Sequence, residues 1–338
     1  MEKQTIGIIG GGSFAMANAL ILTLNGYRVQ MYLRDTEICE NLNNRRRNTK
    51  YLSEIQFPKG VLTATTNINH VFENCSFIIV ALPSAYVENT LEGLSSHHFQ
   101  GKIIVSAVKG ILKESNMLLN DYLVQKFNLA PEHYVALTGP CHAEEVAQRK
   151  IAFLTFSGLD ASRTKQVAGM FANKFIKTIC SHDVWGAQFA AALKNVYSLG
   201  AGIVQGMNLG DNFLSVFVTA CNKEMKYFLE EHFKKYHPSD DCPVFEGSAY
   251  LGDLIVTAYS IYGRNRRFGD YVGKGYSVES TEKEMGMLAE GYYASRGMHH
   301  ISQQTEIELP IATIIYQMLW DHLSRQKALL KFMKHLHI

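Results

Sequence analysis

Lys194 stands in QFAAALKNVYSLGAGI, where almost every neighbour at helical spacing is apolar. A lysine there must reach a boundary with its ammonium, pair with a carboxylate or face a ligand cleft. Desolvation lowers the pKa of such an ammonium and makes it a usable general acid near neutral pH. The same surroundings suit a structural ion pair. Partners for it lie in YLGDLIVTAYSIYGRNRRFG, Tyr250 to Gly269: Asp253 and Thr257 are four apart and share a face if the segment is helical. Arg264 and Asn265 follow Gly263 in a predicted turn, and a guanidinium with amide donors makes a clamp for phosphate or carboxylate. The alternative is a basic surface loop, because Arg266 and Arg267 continue the charge. Lys109, in VKG after KIIVSAV, puts an ammonium at the carboxyl end of a predicted strand, either on the edge where α/β folds hold ligands or simply in solvent. Cys141 beside His142 has the residue types of a thiolate dyad, but sequence neighbours rarely point at each other and no orienting third residue is identifiable.

A different chemistry opens the chain. In GIIGGGSFAMA, Gly7 to Ala17, a strand ends in Gly10-x-Gly12-x-x-Ala15 where a helix should begin. Gly10 permits the tight turn, Gly12 lets a pyrophosphate approach the backbone, and the small Ala15 allows close helix packing. The helix N-terminus adds amide donors and the positive end of its dipole. Together these predict a dinucleotide site; the bland alternative is a flexible turn. The second strand should end in an acid if NAD is selected, yet RVQMYLRD places Leu33 and Arg34 there. A guanidinium can stack on adenine or pair with a 2′-phosphate, which favours NADP, while Asp35 keeps NAD open. Arg45, Arg46 and Arg47 could add phosphate contacts but read first as a solvated face.

These residues require a scaffold of two rhythms. From Thr5 to about Asp183, strand-length runs rich in Ile, Val, Phe and Tyr (TIGIIG, RVQMYL, SFIIVAL, KIIVSAV, HYVALTG, IAFLTFSG and FIKTIC) alternate with amphipathic stretches such as Ala15 to Asn25 and Ala85 to Leu94. That is the pattern of an α/β fold with a doubly wound parallel sheet and ligands at the strands' carboxyl ends. After about Val184 the spacing becomes helical, in WGAQFAAALKNVYSLGAGIV, FLSVFVTACNKEMKYFLEEHF and PIATIIYQMLWDHL. The expected domains are 1–183 and 184–338, packed together with a cleft between them. YHPSDDCP, Tyr236 to Pro243, reads as a loop, and no low-complexity linker or short repeat is present.

With 338 residues, 47% hydrophobic and 19% charged, the chain is too long for a disulfide miniprotein and too apolar for a disordered one. A net charge of +2 excludes a dedicated nucleic-acid binder but not small anionic ligands. Cysteines 39, 75, 141, 180, 221 and 242 form no CxxC pair, so neither a zinc ribbon nor a redox dithiol is indicated, and scattered thiols fit a reducing cytoplasm. MEKQTIGIIGGGSF lacks the regions of a signal peptide, and Lys194, Asn195 and Gln205 interrupt the most apolar stretch, so no transmembrane span is expected. The basic ending RQKALLKFMKHLHI reads as a helix packed on its own domain, with a membrane surface as its alternative.

Eight blocks in order carry a resemblance over nearly the whole chain: GxGxxA, LPS at Leu82 to Ser84, VKG at Val108 to Gly110, GPCHAEEVA, LKNVYSLGAGI, LGDLIVT, GRNRRFG, and AEG at Ala289 to Gly291. Together they resemble the NAD(P)-dependent glycerol-3-phosphate dehydrogenase family of bacterial type. The resemblance implies a Rossmann domain followed by an all-α substrate domain, no metal, and reversible reduction of dihydroxyacetone phosphate to sn-glycerol 3-phosphate for phospholipid synthesis in the cytoplasm by a homodimer. It implies NADP or NAD as cofactor, with Arg34 favouring NADPH. Carried onto this sequence, Lys194 is the catalytic lysine and Asp253 orients or charge-balances it. Lys109, Gly139, Asn195, Thr257, Arg264 and Asn265 line the substrate site. Gly10, Gly12, Ser13, Phe14, Ala15, Arg34, Pro83, Lys109, Arg264 and Glu290 contact the cofactor.

Three positions depart from the family pattern: Ala15 for the third glycine, Cys141 where serine is usual after Gly-Pro, and SAYLGDL for GLAGLGDL, which brings the bulk of Tyr250 near Asp253. Two other classes compete. A ketopantoate or β-hydroxyacid reductase would share the fold and a lysine but lack a phosphate clamp, and a non-catalytic NADP sensor would have lost Lys194 or Asp253. His97-His98 and His299-His300 default to surface positions.

Overall fold

The computed structural model describes residues 4–236, 245, 247–260, 263–286 and 289–336. Most of the YHPSDDCP loop, Cys242 included, and the last two residues of the basic ending lie outside the described residues. In chain order the elements are β1 (Thr5–Ile9), α1 (Ser13–Leu24), β2 (Arg28–Tyr32), α2 (Thr36–Arg45), β3 (Leu62–Thr65), α3 (Ile68–Asn74), β4 (Phe77–Val80), α4 (Ser84–Leu91), α5 (Ser96–Phe99), β5 (Ile103–Ser106), α6 (Leu119–Phe127), β6 (Tyr134–Thr138), α7 (Ala143–Ala147), β7 (Ala152–Ser157), α8 (Ala161–Phe171) and β8 (Ile176–Ser181). Among the described residues eight α-helices follow: α9 (Val184–Gly206), α10 (Gly210–Tyr236), α11 (Asp253–Tyr259), α12 (Arg264–Lys274), α13 (Val278–Met285), α14 (Glu290–Thr305), α15 (Pro310–Trp320) and α16 (Arg325–His335). The chain divides into two compact units, residues 1–82, 86–108 and 119–184, and residues 83–85, 109–118 and 185–338.

The first unit is a single eight-stranded sheet in the order β3-β2-β1-β4-β5-β6-β7-β8. All neighbours run parallel except β6 and β7, which pair antiparallel, so the doubly wound sheet is mostly rather than wholly parallel. The central strands β4 (FIIV) and β6 (YVALT) are buried at every position, which is why their sequences are continuous apolar runs without alternation. β3 (LTAT) is an edge strand with only Leu62 buried, and its polar composition hid it from the apolar pattern. The order reverses between β1 and β4, and the glycine turn lies at that switch point.

The second unit is helical. α9 is its axis: apart from Gln205, every residue from Gln188 to Gly206 is buried or half-buried. α12 lies close along it because each helix carries two glycines four apart, Gly202 and Gly206 on α9 and Gly269 and Gly273 on α12. A Cβ on Gly202 would overlap the Arg266 carbonyl oxygen, and one on Gly269 the Leu199 carbonyl oxygen. Backbones this close place the first turn of α12 against the turn of α9 that bears Lys194 and Asn195. α16 buries Ala328 and Phe332, the latter edge-on to Phe217, so the basic ending packs on its own unit while exposing Leu330 and Met333. Among the described residues no helix is long and apolar enough to cross a membrane.

Candidate active site

The glycine turn is built by local backbone. Gly10 adopts φ +132°, and a Cβ there would overlap the Ala81 carbonyl oxygen, so only glycine fits both the conformation and the space. At Gly12, the N-cap of α1, a Cβ would meet nothing within 4 Å. This open approach to the first N–H groups of a twelve-residue helix is what a pyrophosphate requires. Ser13 and Phe14 flank it half-buried, and Ala15 is fully buried, which explains why a small residue suffices. Asn48, fully buried, donates to the Gly11 carbonyl at 3.0 Å and accepts from the Lys50 and Tyr51 N–H groups, bracing the turn from outside the motif.

Beyond β2, Arg34 is exposed and lies over the Tyr86 ring at 5.0 Å. Asp35 accepts from the Ile38 N–H as the N-cap of α2, so one of its carboxylate oxygens already has a structural use. Arg45, Arg46 and Arg47 are exposed. Gly139 ends β6 at φ +101°. His142 is the N-cap residue of α7, and Cys141 is half-buried beside the core of the first unit.

The second unit gathers the remaining candidates. The Lys194 ammonium, 6% exposed, lies 2.6 Å from Asp253 Oδ1, whose side chain is 3% exposed. Lys194 also donates to Thr257 Oγ1 at 3.3 Å, and Thr257 Oγ1 donates to the Asp253 carbonyl at 2.6 Å. Asp253 and Thr257 do share a helix face, on α11, which follows a single π-helical turn from Ser248 to Gly252. Removing one partner of such a buried pair would leave an uncompensated charge, which costs about 3–5 kcal/mol. Tyr250 is buried in that turn, edge-on to Phe245 in the helical core.

Arg264 and Asn265 do not sit in a turn: with Gly263 as N-cap they open α12. Three hydrogen bonds between amide groups then run in sequence. The Gly291 N–H donates to Asn265 Oδ1 at 2.9 Å, Asn265 Nδ2 to Asn195 Oδ1 at 2.9 Å, and Asn195 Nδ2 to the Lys109 carbonyl at 2.8 Å. Both carboxamides thus have structural partners on each side, and Lys109, half-buried, is held by its backbone. Glu290 accepts from the Ser84 N–H at 3.0 Å and from Ser84 Oγ at 2.8 Å, directly after half-buried Pro83. Burial pushes the Glu290 carboxyl up, against the opposing Ser84 hydrogen bonds and the nearby Arg264 charge.

Lys109, Lys194, Asn195, Asp253, Thr257, Asn265 and Glu290 therefore belong to linked hydrogen-bond groups in one unit, while Gly10 to Ala15, Arg34 and Gly139 stand in the other. The sequence reading missed Ser198, fully buried, whose hydroxyl donates to the Thr257 carbonyl at 2.9 Å and ties α9 to α11 a second time. It missed Ser84 as the partner of Glu290, which no local signal announces across 206 residues. The glycine pairs in LGAGIVQG and FGDYVG were visible as small residues four apart.

Two family models match the chain in succession. NAD-dependent glycerol-3-phosphate dehydrogenase N-terminus matches residues 5–164, and NAD-dependent glycerol-3-phosphate dehydrogenase C-terminus matches residues 183–330. A glycerol-3-phosphate dehydrogenase (NAD(P)+) of Clostridium botulinum strain Eklund 17B is 31% identical over 316 residues, 94% of this chain and 93% of the relative. That of Halothermothrix orenii is 32% identical over 321 residues, 94% and 91% of the two chains. A crystal structure of glycerol-3-phosphate dehydrogenase from Coxiella burnetii shares the fold at a TM-score of 0.89, covering 99% of this chain and 100% of that one at 23% identity. The Rossmann-like sheet, the helical unit and these matches along almost the full length establish that the chain belongs to the NAD-dependent glycerol-3-phosphate dehydrogenase family of NAD(P)-dependent oxidoreductases.

Proposed function

We propose that this chain reduces dihydroxyacetone phosphate reversibly to sn-glycerol 3-phosphate in the cytoplasm, as a homodimer, supplying glycerophospholipid synthesis. Residues 1–183 form the NAD(P)-binding domain and residues 184–338 the substrate domain. Family membership supports the reaction, and one observation carries the catalytic assignment: a buried ammonium at Lys194 held 2.6 Å from Asp253.

The glycine turn, Ser13 and Phe14 hold the dinucleotide, with Pro83, Lys109, Arg264 and Glu290 as further contacts. The open backbone at Gly12 fits a pyrophosphate. The bound nicotinamide supplies hydride. Lys194 gives its proton to the carbonyl oxygen as negative charge develops there, and Asp253 and Thr257 fix the ammonium's direction beforehand. Lys109, Gly139, Asn195 and Asn265 shape the substrate site. Arg264, exposed at the start of α12, holds the substrate phosphate by charge-assisted hydrogen bonds, with Asn265 anchoring that turn. Arg34 favours NADPH, since Asp35 is engaged as a helix cap.

The test follows absorbance at 340 nm with dihydroxyacetone phosphate and either NADPH or NADH, with Lys194→Ala as control. Oxidation that needs both the phosphorylated ketone and Lys194 is expected, faster with NADPH. Turnover only of an unphosphorylated keto acid would replace this reading with a ketopantoate-type reductase. Arg264→Ala should raise the KM for dihydroxyacetone phosphate about tenfold, in keeping with one lost charge-assisted contact.

A further inference from the structure

α15 begins without a cap of its own. Its N-cap position is Leu309, whose side chain accepts nothing, and Pro310 follows with no N–H. The next two N–H groups are satisfied from another helix: Ile311 donates to Glu224 Oε2 at 2.6 Å and Ala312 to Glu224 Oε1 at 2.9 Å. Glu224, on α10, is 7% exposed. A carboxylate at a helix N-terminus meets both orphan donors and the positive end of the dipole, which is how this acid is tolerated inside an apolar core.

The same carboxylate has a third partner. Tyr197 Oη donates to Glu224 Oε1 at 2.9 Å, and Tyr197 is 1% exposed. Tyr197 lies three residues beyond Lys194 on α9. That stretch of α9 is also bound to α11, through Lys194 to Asp253 and Ser198 to Thr257. At Gly200 a Cβ would come within 2.5 Å of Ile315 on α15 and 2.7 Å of Phe217 on α10, so α9 is seated directly on the two helices that Glu224 joins.

We propose that Glu224, acting through Tyr197, is a positioning residue that fixes the rotation of α9 and hence the direction of the Lys194 ammonium. Tyr197 lies about one helical turn from Lys194 and roughly 60° round the axis from it, so hydrogen bonds to α10 and to α11 hold adjacent faces of α9 and together set its rotation at Lys194. The inference rests on the reading of Lys194 as proton donor. A cap alone would make Glu224 a matter of stability, whereas the Tyr197 arm has no part in capping α15. Burial pushes the Glu224 carboxyl up to about 7, and the groups that share its pocket are Tyr197 and Cys221, both raised in turn by burial first and by the Glu224 charge second.

The experiment compares Tyr197→Phe and Glu224→Gln with the wild-type chain. Steady-state kinetics with dihydroxyacetone phosphate and NADPH, thermal melting, and mass-spectrometric labelling of Lys194 by acetic anhydride from pH 7 to 10 are measured together. Tyr197→Phe leaves the α15 cap in place and is expected to melt within a few degrees of wild type, with kcat lowered about tenfold and KM within about twofold. Its Lys194 labelling profile should be displaced along the pH axis. A Tyr197→Phe protein with wild-type kcat and wild-type labelling overturns the proposal, even if Glu224→Gln fails to fold. Should the wild-type chain not turn over dihydroxyacetone phosphate, the reaction assignment fails and the labelling profile alone decides whether Glu224 and Tyr197 set the environment of Lys194.

Discussion

The glycine turn after β1 and the polar cluster around Lys194 both concentrate positive charge or dipole, and they are made in different ways. The turn is contiguous: Gly10, Gly12 and the first N–H groups of α1 lie within a few residues, and one positive φ with one open Cβ position makes it. The cluster draws on Ser84, Lys109, Lys194, Ser198, Asp253, Thr257, Asn265, Glu290 and Gly291, from five helices and a loop. The turn uses backbone dipoles, which any sequence with the right conformation supplies. The cluster uses side-chain charges out of water, whose behaviour depends on every packed neighbour. A glycine turn can therefore be read from a short motif, while a buried ion pair is a property of the whole helical unit.

Breaking the cluster at its centre should have the largest effect. Lys194→Ala is expected to lower kcat about 100-fold or more while the dissociation constant for NADPH, measured by fluorescence titration, stays within about twofold. An equal loss of cofactor affinity would mean that the turn and the cluster are not separable in function.

Gly269→Ala tests whether the cluster depends on packing that never touches a ligand. Its new methyl group would overlap the Leu199 carbonyl oxygen, a backbone atom that cannot step aside. Overpacking of this kind costs about 1–3 kcal/mol, so calorimetry should show a lower melting temperature together with reduced kcat. Unchanged activity would show that the α9–α12 spacing is not what aligns Asn195 with Asn265.

The local region has its own counterpart. Gly10→Ala forces a side chain into φ +132°, strain of about 1–3 kcal/mol, and should weaken NADPH binding about tenfold. Circular dichroism of the helices should be preserved.

The smallest expected effect is a slope with pH. The Glu224 carboxyl is raised to about 7 by burial, so the folded chain holds its proton at pH values where the unfolded chain has lost it. The stability this confers is fully present below the ordinary carboxyl range and is lost as pH rises through 7. Glu224→Gln should flatten that part of the curve in urea titrations between pH 5 and 8; an unchanged slope would assign the pH dependence elsewhere.

Much of the fold could be read before any coordinates. The apolar runs at β1, β2, β4 to β8 and the long helical stretches of α9, α10 and α15 follow from periodicity, because strands buried on both faces and helices with wide apolar stripes leave plain patterns. β3 escaped because an edge strand buries too little to need such a pattern. Gly263 marks a break, which predicts a turn at Arg264 and Asn265, but a break serves equally as the start of a helix.

By itself the sequence determined the glycine turn, the order of sheet before helices, and the residue types from which a proton donor and an anion clamp could be made. Those depend on local conformation and on composition along the chain. Only the tertiary structure decided that the Lys194 ammonium lies 2.6 Å from Asp253, that both asparagines are held in a row of amides, that Ser84 meets Glu290, and that Glu224 caps a helix 86 residues away at Pro310 while holding Tyr197. Each of these is a hydrogen bond or ion pair between segments far apart in the chain. Its existence is set by how closely the elements approach, as backbone sterics at four glycines do between α9 and α12, and no single segment encodes that approach.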